Sequence, residues 1–132
     1  MASTSSPLEP TYRMVIGDAP LLISMPHVGT DLPPEVAAGL APEARDLQDT
    51  DWHLPILYDF APALGATVLS ARYSRYAIDL NRPPDDAPLY QTATTGLYPE
   101  VLFDGRPLFQ PGKAPGSAAR RAYLDDIWHP YH

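Results

Sequence analysis

The chain reads as a single α/β domain, a sheet covered by helices, and three observations predict it. Its 132 residues, 45% hydrophobic and 19% charged, match the usual size of one domain and suffice to bury roughly two thirds of the unfolded surface. The run Leu21 to Met25 is apolar on both faces, which suits a strand inside a sheet covered on both sides. That run ends abruptly at Pro26-His27-Val28-Gly29-Thr30, and open α/β sheets put their sites at such strand ends.

Taken in order, residues 1–10 (MASTSSPLEP) form a polar lead-in expected to be disordered, and residues 11–132 form the domain. Tyr12 to Ile16 and Leu21 to Met25 read as two consecutive strands joined tightly through Gly17-Asp18-Ala19-Pro20. Pro34 to Leu40 and Pro42 to Gln48 read as short helical turns, each with a proline near its start, where a missing N–H costs nothing. Trp52 to Leu64 reads as the strongest helix: Leu57, Phe60, Ala61 and Leu64 recur at helical spacing, Asp51 offers an N-cap, Pro62 should kink the last turn and Gly65 should stop it. Ala66 to Ala71 opens another strand, and Tyr76 to Leu80 a short strand or edge. Seven of the 17 prolines fall between Pro83 and Pro115, so residues 82–116 are expected to form a long ordered loop. Ser117 then caps a final helix with an apolar stripe of Leu124, Ile127, Trp128 and Tyr131, kinked or restarted at Pro130.

Composition excludes several classes of function. Nine Lys and Arg against sixteen Asp and Glu leave a formal charge of -7, so no general attraction to nucleic acid or anionic lipid is expected. With no cysteine there are no disulfides, thiol nucleophiles or cysteine-rich zinc sites, and any metal must be held by histidine and carboxylate. The N-terminus lacks the apolar run of a signal peptide and no stretch approaches the roughly 18 residues of a membrane span, so a cytoplasmic location is the expectation.

Three clusters could carry chemistry. His27 at its strand end could point a ring nitrogen into a shared cavity as a metal ligand; the ordinary alternative is a loop histidine bonded to backbone. Asp49-Thr50-Asp51-Trp52-His53 could supply carboxylate oxygens to a divalent cation, or the carboxylates could simply cap a helix. Arg75 and Arg82, with Asn81 beside them, could bind a dianionic small molecule through guanidinium forks, or pair on the surface with Asp79, Asp85 or Asp86. His129 and His132 could face the same way near the chain end, and Tyr90, Tyr98, Phe103 and Phe109 could form a lid or anchor the long loop.

The ordered series SMPHVGTDLPPE at 24–35, DTDWH at 49–53, LYDFAPALGA at 57–66, SRYAIDLNRPP at 74–84, TTGLYPEVLFDG at 94–105 and WHPYH at 128–132 resembles the N-formylglutamate amidohydrolase family. The resemblance spans residues 21–132. It implies metal-dependent hydrolysis of N-formyl-L-glutamate to formate and L-glutamate in histidine degradation. It also implies a mixed sheet flanked by helices, similar to the zinc carboxypeptidases, with zinc as the expected cofactor. By the same resemblance His27 and Asp51 would be metal ligands, Asn81 and Arg82 would hold the substrate's α-carboxylate, and Arg75 would polarise the formyl carbonyl. The carboxypeptidases carry a glutamate three residues after their histidine; here that residue is Thr30, and Asp49 stands as the alternative to Asp51. Because family members run to roughly twice this length, residues 11–132 would be the N-terminal part of one amidohydrolase domain, with a third ligand and the general base lying beyond. Self-association or a missing C-terminal half is then expected. The alternatives are a non-catalytic binding module for a small acidic metabolite and an inactive fragment of the enzyme.

Overall fold

Thr67–Ala71, rich in β-branched and apolar residues, forms the central strand β3 of a three-stranded sheet ordered β1-β3-β2. A computed structural model describes residues 10–86 and 96–132. Strand β1 (Tyr12–Val15) pairs antiparallel with β3, Tyr12 opposite Ala71, and β2 (Leu22–Met25) pairs parallel with it, Leu22 opposite Thr67. The two expected N-terminal strands are therefore present but do not pair with each other, because their connection arches over the start of β3. The Gly17 N–H is bonded to the Thr67 hydroxyl and the Ala19 N–H to the Gly65 carbonyl. A Cβ on Gly17 would sit 2.0 Å from the Gly65 oxygen, so only glycine fits this crossing. Strand β2 is also not an interior strand among the described residues: it lies at one end of the sheet, and Leu22 is exposed.

Helix α1 (Pro34–Gly39) and a 3₁₀ turn, Pro42–Ala44, each start with proline as expected. The helix expected over Trp52 to Leu64 is instead two short pieces, α2 (Leu54–Leu57) and a 3₁₀ turn at Ala61–Leu64. Pro62 lies inside the second piece, and Gly65 ends it with φ 84°. Asp51 is not the cap: that position is taken by His53, whose backbone is left-handed at φ 67°, and no side chain caps the helix. No strand forms over Tyr76 to Leu80. The segment turns, with the Tyr76 N–H on the Ser74 hydroxyl and the Ala77 N–H on the Ser74 carbonyl, and every residue from Ser74 to Leu80 is buried.

The long loop is ordered where it is described, and Leu97, Leu102, Leu108 and Phe109 enter the main core. Tyr90 lies outside the described residues. Helix α3 (Ser117–Tyr123) follows Gly116, not Ser117, as its cap. It runs through a π-helical stretch, Leu124–Trp128, into α4 (His129–Tyr131). The π turn removes the break expected at Pro130. Proline cannot serve the carbonyl four residues back, and that carbonyl, on Asp126, accepts the Thr11 hydroxyl at 3.1 Å. The apolar stripe is covered: Ile127 and Tyr131 are buried in the main core, with Leu124 and Trp128 packed against it.

Candidate active site

Parallel pairing of β2 and β3 brings the segments that follow them together. The N–H groups of Thr30 and Asp31 donate to the Arg72 carbonyl, and the Ser74 N–H donates to the Asp31 carbonyl. Gly29 lies against this second chain so closely that a Cβ would meet the Tyr73 oxygen at 2.2 Å. The Pro-His-x-Gly sequence thus has a steric basis: glycine lets the backbone after β2 lie beside the backbone after β3, which delivers His27 to the turn that carries Arg75 and Asp79.

Asp79 is the centre of the cluster. Its side chain is fully buried; Oδ1 lies 2.6 Å from His27 Nε2 and accepts the Asn81 N–H at 2.9 Å. Oδ2 accepts Arg75 Nη2 at 3.0 Å. Burial pushes the Asp79 carboxyl up. The His27 bond and charge, the Arg75 guanidinium and the Asn81 N–H outweigh burial and hold it below its ordinary value. The ionised carboxylate thereby fixes three groups, and with Nε2 engaged the imidazole presents Nδ1 as its other ring nitrogen.

Arg75 is buried. Besides Asp79 it donates through Nη1 to the Asp49 carbonyl at 3.4 Å, and its guanidinium carbon lies 4.6 Å from the centroid of the Phe103 ring. Its partnership with Asp79 is one the sequence offered as a surface pair, yet it lies in the interior. Asp49 is buried too, and its Oδ2 accepts the Phe103 N–H at 3.1 Å, which ties the tip of the long loop to the site. The Asp49 N–H donates to the Tyr76 hydroxyl at 3.3 Å, and burial raises that phenol above its ordinary value.

Asp51 comes to the same place by its backbone, its N–H donating to the His27 carbonyl at 2.9 Å, while its side chain is exposed. Asn81 is exposed and Arg82 half-buried next to it, with Arg82 Nη1 on the Asn81 carbonyl at 2.9 Å. Three of the five residues singled out from sequence, His27, Arg75 and Asn81, thus bind one buried carboxylate, which sequence reading had not placed in the site, while Asp51 is tied to the His27 backbone and Arg82 to the Asn81 backbone. The local signal for it was the Asx turn of Asp79-Leu80-Asn81, a side chain accepting the N–H two residues on. Among the described residues no group of three or more histidine and carboxylate side chains forms a complete metal cage. His27 and Asp51 have the right donor chemistry for part of one.

A histidine and an acidic loop gathered where two parallel strands end, beside an Asn-Arg pair, define an α/β protein with a candidate site at those strand ends. The model of the N-formylglutamate amidohydrolase family matches residues 19–132, and the chain belongs to that family. It is similar to the N-formylglutamate deformylases of Pseudomonas aeruginosa, 66% identical over 116 residues, and Pseudomonas putida, 62% identical over 116 residues. The matches cover 88% of this chain and 44% and 43% of those relatives, so the chain spans less than half their length. The fold is shared with the crystal structure of N-formylglutamate amidohydrolase from Ralstonia eutropha (TM-score 0.74, 24% identity, 94% of this chain and 48% of that one). It is also shared with a gene product of Agrobacterium tumefaciens (TM-score 0.63, 20% identity, 93% of this chain and 47% of that one). No helix among the described residues is long and apolar enough to cross a membrane.

Proposed function

We propose that residues 11–132 form the N-terminal part of a single amidohydrolase domain, of zinc-carboxypeptidase-like fold, that hydrolyses N-formyl-L-glutamate to formate and L-glutamate. One observation carries this reading: Asp79 joins the proposed metal ligand His27 at 2.6 Å to the backbone of the proposed carboxylate binder Asn81 at 2.9 Å. A single buried anion thus sets the distance between the hydrolytic centre and the substrate anchor. The names of the Pseudomonas relatives supply the reaction.

On this reading His27 and Asp51 hold a divalent metal, zinc by preference for nitrogen and oxygen donors, and its remaining donors belong to the part of the relatives' length that this sequence does not span. When bound, the metal acidifies a water and polarises the formyl group. Asp79, by accepting from Nε2, holds the His27 ring in one orientation and one tautomer. Asn81 and Arg82 bind the α-carboxylate of the glutamate part, the guanidinium by a two-pronged grip and the amide by its donor. Arg75 uses two of its five donors on Asp79 and the Asp49 carbonyl, and those that remain polarise the formyl oxygen, an interaction that strengthens as negative charge develops. A small dianionic amide as substrate accounts for two arginines, Arg75 and Arg82, on either side of Asp79 in a chain of charge -7.

Calorimetric titration of the purified chain with zinc and separately with L-glutamate tests the reading. Zinc binding is expected to be weak, because two protein donors supply only part of the usual set, and to weaken further in His27→Ala and Asp51→Ala. Arg82→Lys, which keeps the charge and loses the fork, should weaken glutamate binding several-fold. Tight zinc binding unaffected by either ligand substitution, or glutamate binding unaffected by Arg82→Lys, overturns the assignment.

A further inference from the structure

The π-helical turn near the C-terminus does more than accommodate Pro130. Trp128 Nε1 donates to the Arg82 carbonyl at 3.0 Å, and His132 Nε2 lies 2.8 Å from the Leu80 carbonyl, to which it donates. These two carbonyls flank Asn81 on either side. The Trp128 and His132 rings lean on each other, centroids 4.2 Å apart, so the two donors act as one body.

The helix is built to aim them. Tyr123, Ile127 and Tyr131 are buried at strict four-residue spacing, and Trp128 and His132 are also four apart. On a regular α-helix of 3.6 residues per turn a four-residue repeat drifts by about 40° at each step, which would carry Tyr131 away from the sheet. The wider π turn over Leu124–Trp128 offsets that drift. It keeps Tyr131 on the sheet, where its hydroxyl lies 2.7 Å from Ser24 Oγ, and keeps Trp128 and His132 over the segment after Asp79. Single π turns inside helices are frequent at functional sites.

We propose that Trp128 and His132 are positioning residues that clamp the backbone on both sides of Asn81 and so present Asn81 and Arg82 to the substrate's carboxylate. This rests on the reading of those two residues as the carboxylate anchor. The clamp completes what Asp79 begins: Asp79 fixes the Asn81 N–H from within, and the helix fixes the adjoining carbonyls from outside. Neither Trp128 nor His132 needs to touch the substrate.

Three variants of the full chain separate the possibilities. Trp128→Phe keeps the ring and loses the N–H; His132→Ala loses the donor and the stack; His132→Gln restores a donor near the place of Nε2. Two-dimensional amide NMR reads the conformation of the segment, calorimetry reads L-glutamate affinity, and urea unfolding reads stability separately. Trp128→Phe and His132→Ala should shift the Asn81 and Arg82 amide signals and weaken glutamate binding by about 3–10-fold, and His132→Gln should recover much of the loss. Unchanged amide signals with unchanged affinity overturn the clamp and leave the carboxylate reading intact. Shifted signals in a protein whose wild type binds no glutamate overturn the carboxylate reading, and with it the clamp's part in recognition. Affinity lost only in proportion to stability, with no rescue by glutamine, reduces Trp128 and His132 to packing and also overturns the proposal.

Discussion

The two apolar clusters of the molecule differ in how completely they close, and the site lies on the side that closes. The larger joins Val36 of α1 and Leu40 just after it, Ile78 and Leu80 of the turn after β3, Leu97, Leu102 and Leu108 of the long loop, and Tyr123, Ile127 and Tyr131 of the last helix. The smaller has, among the described residues, Met25, Ala61, Ala66 and Val68 as buried members. Beside it Leu22, Ile56, Leu57, Phe60 and Leu64 are each more than half exposed. A buried ionised carboxylate is tolerable only where every partner is held, and Asp79 lies between Ile78 and Leu80 of the larger cluster, its N–H on the Leu97 carbonyl. Exposed apolar side chains concentrated in one segment, such as Ile56, Leu57, Phe60 and Leu64, are the composition from which association between chains is expected.

Substitution of Asp79 should show the largest effect. Asp79→Ala removes the carboxylate and leaves the buried Arg75 guanidinium without its anionic partner, at a cost of about 3–5 kcal/mol. Urea unfolding measures this. A loss under about 1 kcal/mol would mean that Arg75 and His27 find other partners, and that the buried anion does not organise the site.

The two clusters should respond unequally to truncation. Leu108→Ala, at a side chain with no exposure, should cost about 2–5 kcal/mol, whereas Phe60→Ala should fall within about 0.5 kcal/mol, as surface changes do. The open side should instead govern association: light scattering is expected to show concentration-dependent self-association of the wild type, reduced by Leu57→Lys and Phe60→Ser together. A monodisperse monomer at high concentration would show that this surface is tolerated in water without a partner.

The same contrast explains what could be read from the sequence. Strands β1, β2 and β3 and the placing of His27 after β2 were legible because each rests on local pattern, an apolar run with proline or glycine near one end: Gly17 after β1, Pro26 after β2 and Gly65 before β3. The spacing of Leu57, Phe60 and Leu64 was read as the buried face of one long helix, but the segment breaks around Phe60 and those residues face outward, so periodicity there did not report burial. Asp79 was missed as a site residue because its burial depends on partners distant in the chain, His27 52 residues away and the Leu97 carbonyl that receives its N–H. The continuous final helix was hidden by Pro130, since a π turn leaves no local pattern that distinguishes it from a kink.

The smallest expected effect asks how far the order of the closed side extends into the exposed loop tip that carries Phe103. Asp104 is exposed, yet Arg106 binds it through its guanidinium, with Nη2 at 2.7 Å and Nε at 2.9 Å from Oδ2, and through its backbone N–H, 3.0 Å from Oδ1. These bonds push its carboxyl down to about 2, from an ordinary value of about 4. The sign follows from linkage: between those values the folded state keeps the charge while the unfolded chain takes up a proton. The contribution to stability is therefore full above pH of about 4 and lost as pH falls through about 2. Carbon-detected NMR titration of the Asp104 carboxyl should give a midpoint near 2 in the wild type and a higher one in Arg106→Gln, which loses the guanidinium and keeps the backbone bond. A wild-type midpoint already near 4 would mean that the Asp104–Arg106 contact is transient in water, and that the ordering of the tip ends at the bond between the Phe103 N–H and Asp49.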